Sequence, residues 1–177
     1  MTISLYEATV PSFVQIITSL KALTKKAEAF CAEKEMDEAE LLNSHLGTDM
    51  RPLSWQIKWT SSHSIGAIEG VRRGLFVPDR DPPAGSFADL RDQLESTLSS
   101  LNSQTPEAID GFVGKDMKFA IPGTDTEMDF TAENFLLSFS LPNFYFHATT
   151  AYDLLRHAGI EIGKRDFIGR PRIKTSA

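Results

Sequence analysis

Asn143 and His147 are the two residues whose types and spacing could most readily support chemistry. They are four positions apart, so in an α-helix they lie one turn apart on the same face. An amide and an imidazole placed in this way could be two ligands of a metal ion, members of a buried hydrogen-bond network, or polar surface residues. Tyr145 and Tyr152 lie in the same stretch and could position a ligand beside His147, if that histidine acts as a general acid or base near its ordinary pKa of about 6.5.

A long helix is predicted around these residues, over 131–158. Its apolar residues recur at steps of three and four, which places them on one face. They are Phe135, Leu136, Phe139, Phe146, Leu154 and Leu155. Thr131 is suited to cap the start of this helix and Gly159 to end it. Pro142 lies inside the run and predicts a bend, because proline removes one backbone hydrogen bond and crowds the preceding turn.

Three further segments have helical spacing of their apolar residues, and they cover 10–34, 49–74 and 87–103. We expect Pro11 and Pro52 in the first turns of the first two helices, where a proline is tolerated. A short connector helix is predicted from Asp37 to Leu46. Between 111 and 130 the helical period is lost, and two short runs flank a Pro-Gly turn, which predicts a small β-hairpin.

These elements predict an all-α fold, a four-helix bundle with a short connector helix and a small β-hairpin before the last helix, in one domain over 1–177. Bundles form sites between facing helices. His63 lies in a polar stripe of the second helix with Gln56, Trp59 and Thr60, so we expect it to face Asn143 and His147. The aromatic residues expected in the core are Trp55, Trp59, Phe135, Phe139 and Phe146.

The composition excludes several classes of protein. Charged residues make up 24% and hydrophobic residues 41% of the chain, which is typical of a soluble globular protein. The net charge of −6 argues against nucleic-acid binding. No apolar run approaches the roughly 18 residues of a membrane span, and the N-terminus lacks the features of a signal peptide, which predicts a cytoplasmic location. The single cysteine, Cys31, excludes an internal disulfide and a multi-cysteine metal site.

A basic concentration near the C-terminus includes Lys164 and Arg165, which follow Gly163. This pattern could indicate an anion site. A local ion pair of these cations with Asp166 explains them without a ligand, because exposed pairs of this kind are common and contribute under about 1 kcal/mol.

Three stretches carry a resemblance to a known family: residues 142–169, PNFYFHATTAYDLLRHAGIEIGKRDFIG, residues 8–13, ATVPSF, and residues 49–57, DMRPLSWQI. Together they resemble a bacterial and fungal family catalogued as a domain of unknown function, within the wider DinB-like superfamily. The resemblance covers nearly the whole chain. It implies a four-helix bundle that is often dimeric, and small-molecule chemistry, since characterised members of the superfamily include thiol-dependent transferases and isomerases.

The resemblance also implies a set of metal ligands. Typical superfamily members bind a divalent metal through one histidine on the second helix and a His-x-x-x-His pair on the fourth. His147 corresponds to the second position of that pair, Asn143 to the first, and His63 lies near the ligand of the second helix. An asparagine therefore replaces one imidazole, and an amide oxygen is a poorer ligand for zinc or nickel.

Three functions are left open by these features. The first is an enzyme of hydrolase or thiol-transferase type, in which a divalent ion bound by His63, His147 and Asn143 activates water or a thiol. The second is a metal-free pocket for a small-molecule ligand, with His147 as acid or base. The third is a non-catalytic, dimeric binding or stress-related protein. A homodimer is expected from the resemblance and from Phe76 and Phe167, which lie outside the predicted core stripes.

Overall fold

A computed structural model describes residues 3–174 of the protein. In chain order the elements are α1 (Leu5–Glu33), α2 (Glu38–Leu42), α3 (Leu53–Ser61), α4 (Ala67–Arg73), β1 (Leu75–Phe76), α5 (Phe87–Asn102), α6 (Pro106–Asp110), β2 (Asp116–Ala120), β3 (Glu127–Thr131), α7 (Ala132–Asn134), α8 (Leu141–His157) and α9 (Lys164–Ile168). Two π-helical segments complete the list, Ser62–Gly66 between α3 and α4 and Phe135–Ser140 between α7 and α8.

The predicted helical bundle is confirmed. Its four long components are α1, the α3–α4 rod, α5 and the α7–α8 rod, and their apolar faces meet in one core. The largest fully buried side chains include phenylalanines from three of the four, such as Phe13, Phe87 and Phe144. The rings of Phe13 and Phe144 pack edge to face at 4.8 Å, a favoured geometry for buried aromatic pairs. This contact fixes α8 against α1.

The first helix begins earlier than expected. We placed Pro11 in its first turn, whereas α1 starts at Leu5 and holds Pro11 in its interior. The cause is a local capping signal, because the Ser4 hydroxyl accepts a hydrogen bond from the N–H of Glu7 at 3.2 Å. Pro52 was also expected in the first turn of its helix, but α3 starts at Leu53 and Pro52 is the residue before it, in an extended conformation. The connector helix α2 ends at Leu42 rather than at the expected Leu46.

A three-stranded sheet takes the place of the predicted two-stranded hairpin. The hairpin itself is present as the antiparallel pair β2 and β3, and β1 adds to it as a parallel edge strand. Leu75 pairs with Lys118 and Phe76 with Phe119. A strand of two residues is too short to show a period in the sequence, so this pairing could not be predicted. Phe76 is buried by it rather than left outside the core.

The π-helical segment before α8 changes which side chains enter the core. Phe146 was expected inside but is 54% exposed, and Phe144 is buried in its stead. A π-turn closes its hydrogen bonds one residue further along than an α-turn, so it shifts the pattern by one residue, or about 100° around the helix. In a regular α-helix Phe146, seven positions after Phe139, would lie on the same face as Phe139. With the shift of one residue, His147 takes that place instead. Of the other expected core aromatics, Phe135 is buried, whereas Trp55, Trp59 and Phe139 are half-buried.

The π-helical segment directly precedes Pro142, where the sequence predicts a bend. Pro142 lies at the start of α8, with Thr131 and Gly159 at the two ends of the whole helical run as expected. Proline supplies no N–H to the turn that joins the π-helical segment to α8. The departure from α-helical geometry is this π-helical stretch beside the candidate site, and the bend of the helix axis stays a prediction.

Candidate functional site

The imidazole rings of His63 and His147 face each other between the α3–α4 rod and α8. Their centroids are 5.5 Å apart and their planes differ by 24°, so the rings are stacked. Both side chains are buried, with His63 9% and His147 7% exposed. The structure thus brings together these two residues, which are 84 positions apart in the sequence (147 minus 63).

Both histidines owe their positions to π-helical geometry. His63 lies within the first π-helical segment, and His147 follows the second one in α8. The two segments contact each other, since the hydroxyl of Ser140 donates a hydrogen bond to the backbone carbonyl of His63 at 2.9 Å, in a buried environment. π-Helical turns are costly and are frequently found at functional sites. Two π-helical segments that meet at one histidine pair therefore indicate that this region of the bundle is the candidate functional site.

His147 is held in one orientation by Gln56. The Gln56 side-chain N–H donates to the carbonyl of Arg51 at 2.7 Å, which points its amide oxygen at His147 Nδ1, 2.8 Å away. That oxygen can only accept, so Nδ1 carries the proton and Nε2 presents a lone pair. The indole of Trp59 packs beside the imidazole, with centroids 5.0 Å apart. Gln56 belongs to the polar stripe noted in the sequence, but its contact with His147 was not foreseen.

His63 has no such partner. Its Nδ1 is buried and makes no hydrogen bond to any residue among 3–174. The ring contacts Phe76 and Phe139 at centroid distances of 5.5 and 6.0 Å, besides His147. A buried polar atom without a partner destabilises a protein by about 1–3 kcal/mol. A ligand that hydrogen-bonds to Nδ1 of His63 would remove this destabilisation, so the unpartnered atom is consistent with a role in ligand binding.

A cavity of about 280 Å³ adjoins the two histidines. Its walls are mostly aromatic, and Asn143 adds a polar group to them. The lining residues are Trp59, Ser62, His63, Phe76, Pro78, Asp79, Phe119, Phe139, Asn143 and His147. The Asn143 side-chain N–H donates to the carbonyl of Phe139 at 2.7 Å, which leaves the amide oxygen as its remaining acceptor. We call this space the histidine cavity.

One wall of the histidine cavity comes from the loop that follows β1, and a buried lysine holds it in place. The Lys58 ammonium lies 2.8 Å from the Asp79 carboxylate and 2.5 Å from the carbonyl of Asp81. The Trp59 N–H also reaches the Asp79 carbonyl, at 3.4 Å. No signal in the sequence pointed to Lys58 or Asp79, because their pairing depends on the path of an irregular loop.

The histidine pair is uncharged at neutral pH. Burial, with a smaller contribution from the neighbouring His147, lowers the pKa of His63 to about 3. Burial lowers the pKa of His147 to about 4. Asp79 stays ionised, since hydrogen bonds from Lys58 and from the N–H of Asp81 outweigh burial and lower the pKa of its carboxyl. Our expectation of an ordinary pKa near 6.5 for His147 is therefore wrong, because the sequence did not show how deeply that ring is buried.

Tyr145 and Tyr152 do not border the histidine cavity. They differ from His147 by two and five positions, which turns them about 200° and 140° away around the helix. Tyr145 is exposed and packs on Phe144, and Tyr152 packs on Phe167 of α9 with ring centroids 5.6 Å apart. The structure therefore does not bring either tyrosine together with His147, and it accounts for Phe167 by an internal contact.

Comparison with known proteins places the chain in a family. A family model described as a domain of unknown function, DUF1993, matches residues 5–168. The chain belongs to the DUF1993 family. Its structure is similar to that of a DinB family member protein from Shewanella denitrificans, with a TM-score of 0.80 and 29% sequence identity over 97% of this chain and 96% of that one. The DinB-like resemblance is thus confirmed. No protein of curated function matches the chain.

The DinB-like resemblance implies a divalent metal, and this DUF1993 chain fits one poorly as the side chains stand. Within residues 3–174 no three His, Cys, Asp or Glu side chains come together as possible ligands. His63 and His147 supply two imidazoles, one fewer than the three protein ligands of a typical catalytic zinc site. Asn143 would add only an amide oxygen. Metal binding by His63, Asn143 and His147 therefore stays a prediction.

None of the helices in the described part of this DUF1993 chain is long and apolar enough to cross a lipid bilayer.

Proposed function

We propose that this DUF1993 protein binds a small, uncharged molecule in the histidine cavity, and that Nε2 of His147 accepts a hydrogen bond from it. The observation that supports this proposal most directly is the fixed orientation of the His147 ring by Gln56, with a lone pair left free at a buried position. A side chain oriented by a second residue is the usual arrangement where a site must be preorganised.

The electrostatics of the cavity favour an uncharged ligand. His63 and His147 are neutral, and the carboxylate of Asp79 is already paired with Lys58. An ion entering such a space would lose its hydration without gaining an opposite charge. Aromatic walls, in contrast, supply contacts to an apolar or planar molecule.

The polar atoms of the cavity favour a ligand that donates hydrogen bonds. Nε2 of His147 and the amide oxygen of Asn143 are both acceptors, and the second N–H of the Asn143 amide adds one donor. A molecule with a hydroxyl or N–H group on an apolar frame matches this pattern. With a pKa near 4, His147 is a weak base that stays neutral at pH 7. It is therefore better suited to binding and orienting a ligand than to general acid–base catalysis.

A metal-dependent enzyme of hydrolase or thiol-transferase type is the second candidate. One observation favours it, since an imidazole whose Nδ1–H donates to an oxygen and whose Nε2 is free is the form that binds metals. The amide at position 143, which stands where a third imidazole would be needed, argues for the metal-free pocket instead.

Titration with phenol and anisole tests the metal-free pocket. The two molecules have similar size and shape, but only phenol donates a hydrogen bond. We expect phenol to shift the ¹⁵N resonance of His147 Nε2 and to bind at least tenfold more tightly than anisole, a difference of about 1.4 kcal/mol. His147→Phe should abolish this preference, and His157→Phe, at an exposed position of the same helix, should keep it. Equal affinities for the two molecules, or a preference that survives in His147→Phe, would refute the proposal.

A further inference from the structure

A second and larger cavity, of about 600 Å³, lies along α1. One side is formed by residues of α1 between Tyr6 and Lys26, and the other by α9 and the chain that follows it, from Arg165 to Arg172. We call this space the α1 trough. It has no lining residue in common with the histidine cavity, and its volume falls in the range of roughly 300–1,000 Å³ that is typical of small-molecule sites.

The α1 trough is long and mainly apolar. Twenty residues of α-helix separate Tyr6 from Lys26, so at about 1.5 Å per residue the lining side of α1 extends for about 30 Å. Val10, Val14 and Leu23 contribute aliphatic side chains to it. A space of this shape accommodates one extended chain better than a compact ring system.

The border of the α1 trough is positively charged. It includes the guanidinium groups of Arg165, Arg170 and Arg172, and none of the three forms an ion pair with a carboxylate of residues 3–174. Arg172 contacts only neutral partners, the Gln15 amide oxygen at 3.3 Å and the Ser12 hydroxyl at 3.4 Å. The local ion pair of Lys164 and Arg165 with Asp166 that was expected from the sequence is not formed, because Asp166 pairs with Lys26 of α1 at 2.6 Å instead.

A buried polar group without a partner lies in the wall of the trough. Ser19 is 5% exposed, and its hydroxyl makes no hydrogen bond within the described chain. It lies against Gly169, where an added Cβ would come within 2.4 Å of the hydroxyl oxygen. The Gln15 side chain fixes the same turn by donating to the carbonyl of Ile168 at 2.8 Å. The C-terminal segment is therefore anchored to α1 and covers the Ser19 hydroxyl.

We propose that the α1 trough binds a single long-chain organic anion, such as a fatty acid. The aliphatic chain would lie along the apolar side chains of α1, and the carboxylate would pair with the guanidinium groups of Arg170 and Arg172. Guanidinium groups bind carboxylates through charge-assisted, often bidentate hydrogen bonds. This site is independent of the histidine cavity. The three arginines, which form no ion pair within residues 3–174, lie beside an apolar wall. They give the trough its preference for an anion although the net charge of the protein is −6.

Calorimetric titration of the full chain with decanoate and with 1-decanol tests this proposal. The two probes share one alkyl chain and differ in charge. We expect decanoate to bind at least tenfold more tightly than decanol. The double variant Arg170→Gln/Arg172→Gln should lose at least tenfold in decanoate affinity and leave decanol binding unchanged. Arg73→Gln/Arg80→Gln, which removes two exposed charges outside the trough, is the matched control and should bind decanoate as the unmodified protein does.

Three results would overturn the proposal. The first is equal affinity for decanoate and decanol. The second is loss of decanoate binding in His147→Phe, which would assign the probe to the histidine cavity. The third is light scattering that shows a dimer dissociating as decanoate binds, because the trough would then be the contact between two copies of the chain. Failure of the phenol test leaves this outcome unaffected, since the two sites share no residue.

Discussion

Acidification from about pH 7.5 to about pH 5 should destabilise the protein through its two buried histidines. Both folded pKa values, about 3 for His63 and about 4 for His147, lie below the ordinary value of 6.5. The unfolded chain therefore binds more protons than the folded chain below pH 6.5. The stabilising effect is complete above that pH and is lost progressively as the pH falls to about 4 for His147 and to about 3 for His63.

The size of the effect follows from the same pKa values. At pH 5 an unfolded histidine is 1.5 pH units below its pKa of 6.5, which at about 1.36 kcal/mol per unit gives about 2 kcal/mol for each residue, and about 4 kcal/mol for the pair. The carboxyl of Asp79, which lines the same cavity, does not titrate in this range. The pKa of Asp79 is lowered from 3.8, so that carboxyl titrates only in more acidic solution.

Urea unfolding at the two pH values, followed by circular dichroism, measures this loss. The variant His63→Phe should lose only about 2 kcal/mol over the same range, because one titrating ring has been removed. At pH 7.5 it should be more stable than the unmodified protein by about 1 kcal/mol, since the unpartnered Nδ1 is gone. His157→Phe, at an exposed position, is the control. A loss below about 1 kcal/mol in the unmodified protein, or the same loss in His63→Phe, would show that the histidines are not buried as described.

Three further predictions concern the metal, the second cavity and the oligomeric state. Asn143→His should raise the affinity for zinc or nickel at least tenfold, about 1.4 kcal/mol, over weak binding by the unmodified protein; equal and negligible heats in titration calorimetry would end the metal hypothesis. Ser19→Ala should raise the free energy of unfolding by about 1 kcal/mol, because its hydroxyl is unpartnered. Thr24→Ala, which removes a hydroxyl bonded to the carbonyl of Lys21, should lower it in the same urea series. A homodimer is still expected, now through exposed aromatics such as Phe146, and light scattering that reports a monomer at micromolar concentration would contradict it.

The part of the site that could be predicted depended on local spacing. Gln56, Trp59 and His63 recur at steps of three and four, so their shared face could be read from the sequence, and the structure directs all three towards His147. The cap at Thr131 was equally local and is present. The capping pattern of Ser4 and Glu7 was available in the same way but was overlooked.

What could not be predicted depends on contacts between distant residues. The pairing of Lys58 with Asp79 requires the path of the loop after β1, and no residue type in that loop specifies it. The low pKa of His147 requires knowledge of its burial. The exposure of Phe146 requires the π-helical segment, which has no period of its own in a sequence of this length. In each case the sequence supplied the residues but not the geometry that decides their role.

The π-helical segment Phe135–Ser140 also changes how relatives of this chain are aligned. It behaves as one residue added to an otherwise regular helix, and that extra residue is what brings His147, rather than Phe146, to the histidine cavity. Deleting one residue between 135 and 140 would allow a continuous α-helix in which α8 keeps its orientation, so the histidine would still reach the cavity. A continuous α-helix of unchanged length would instead turn α8 by about 100° and bring an aromatic ring to the same place. In an alignment, a gap of one position here is therefore compatible with an intact histidine pair.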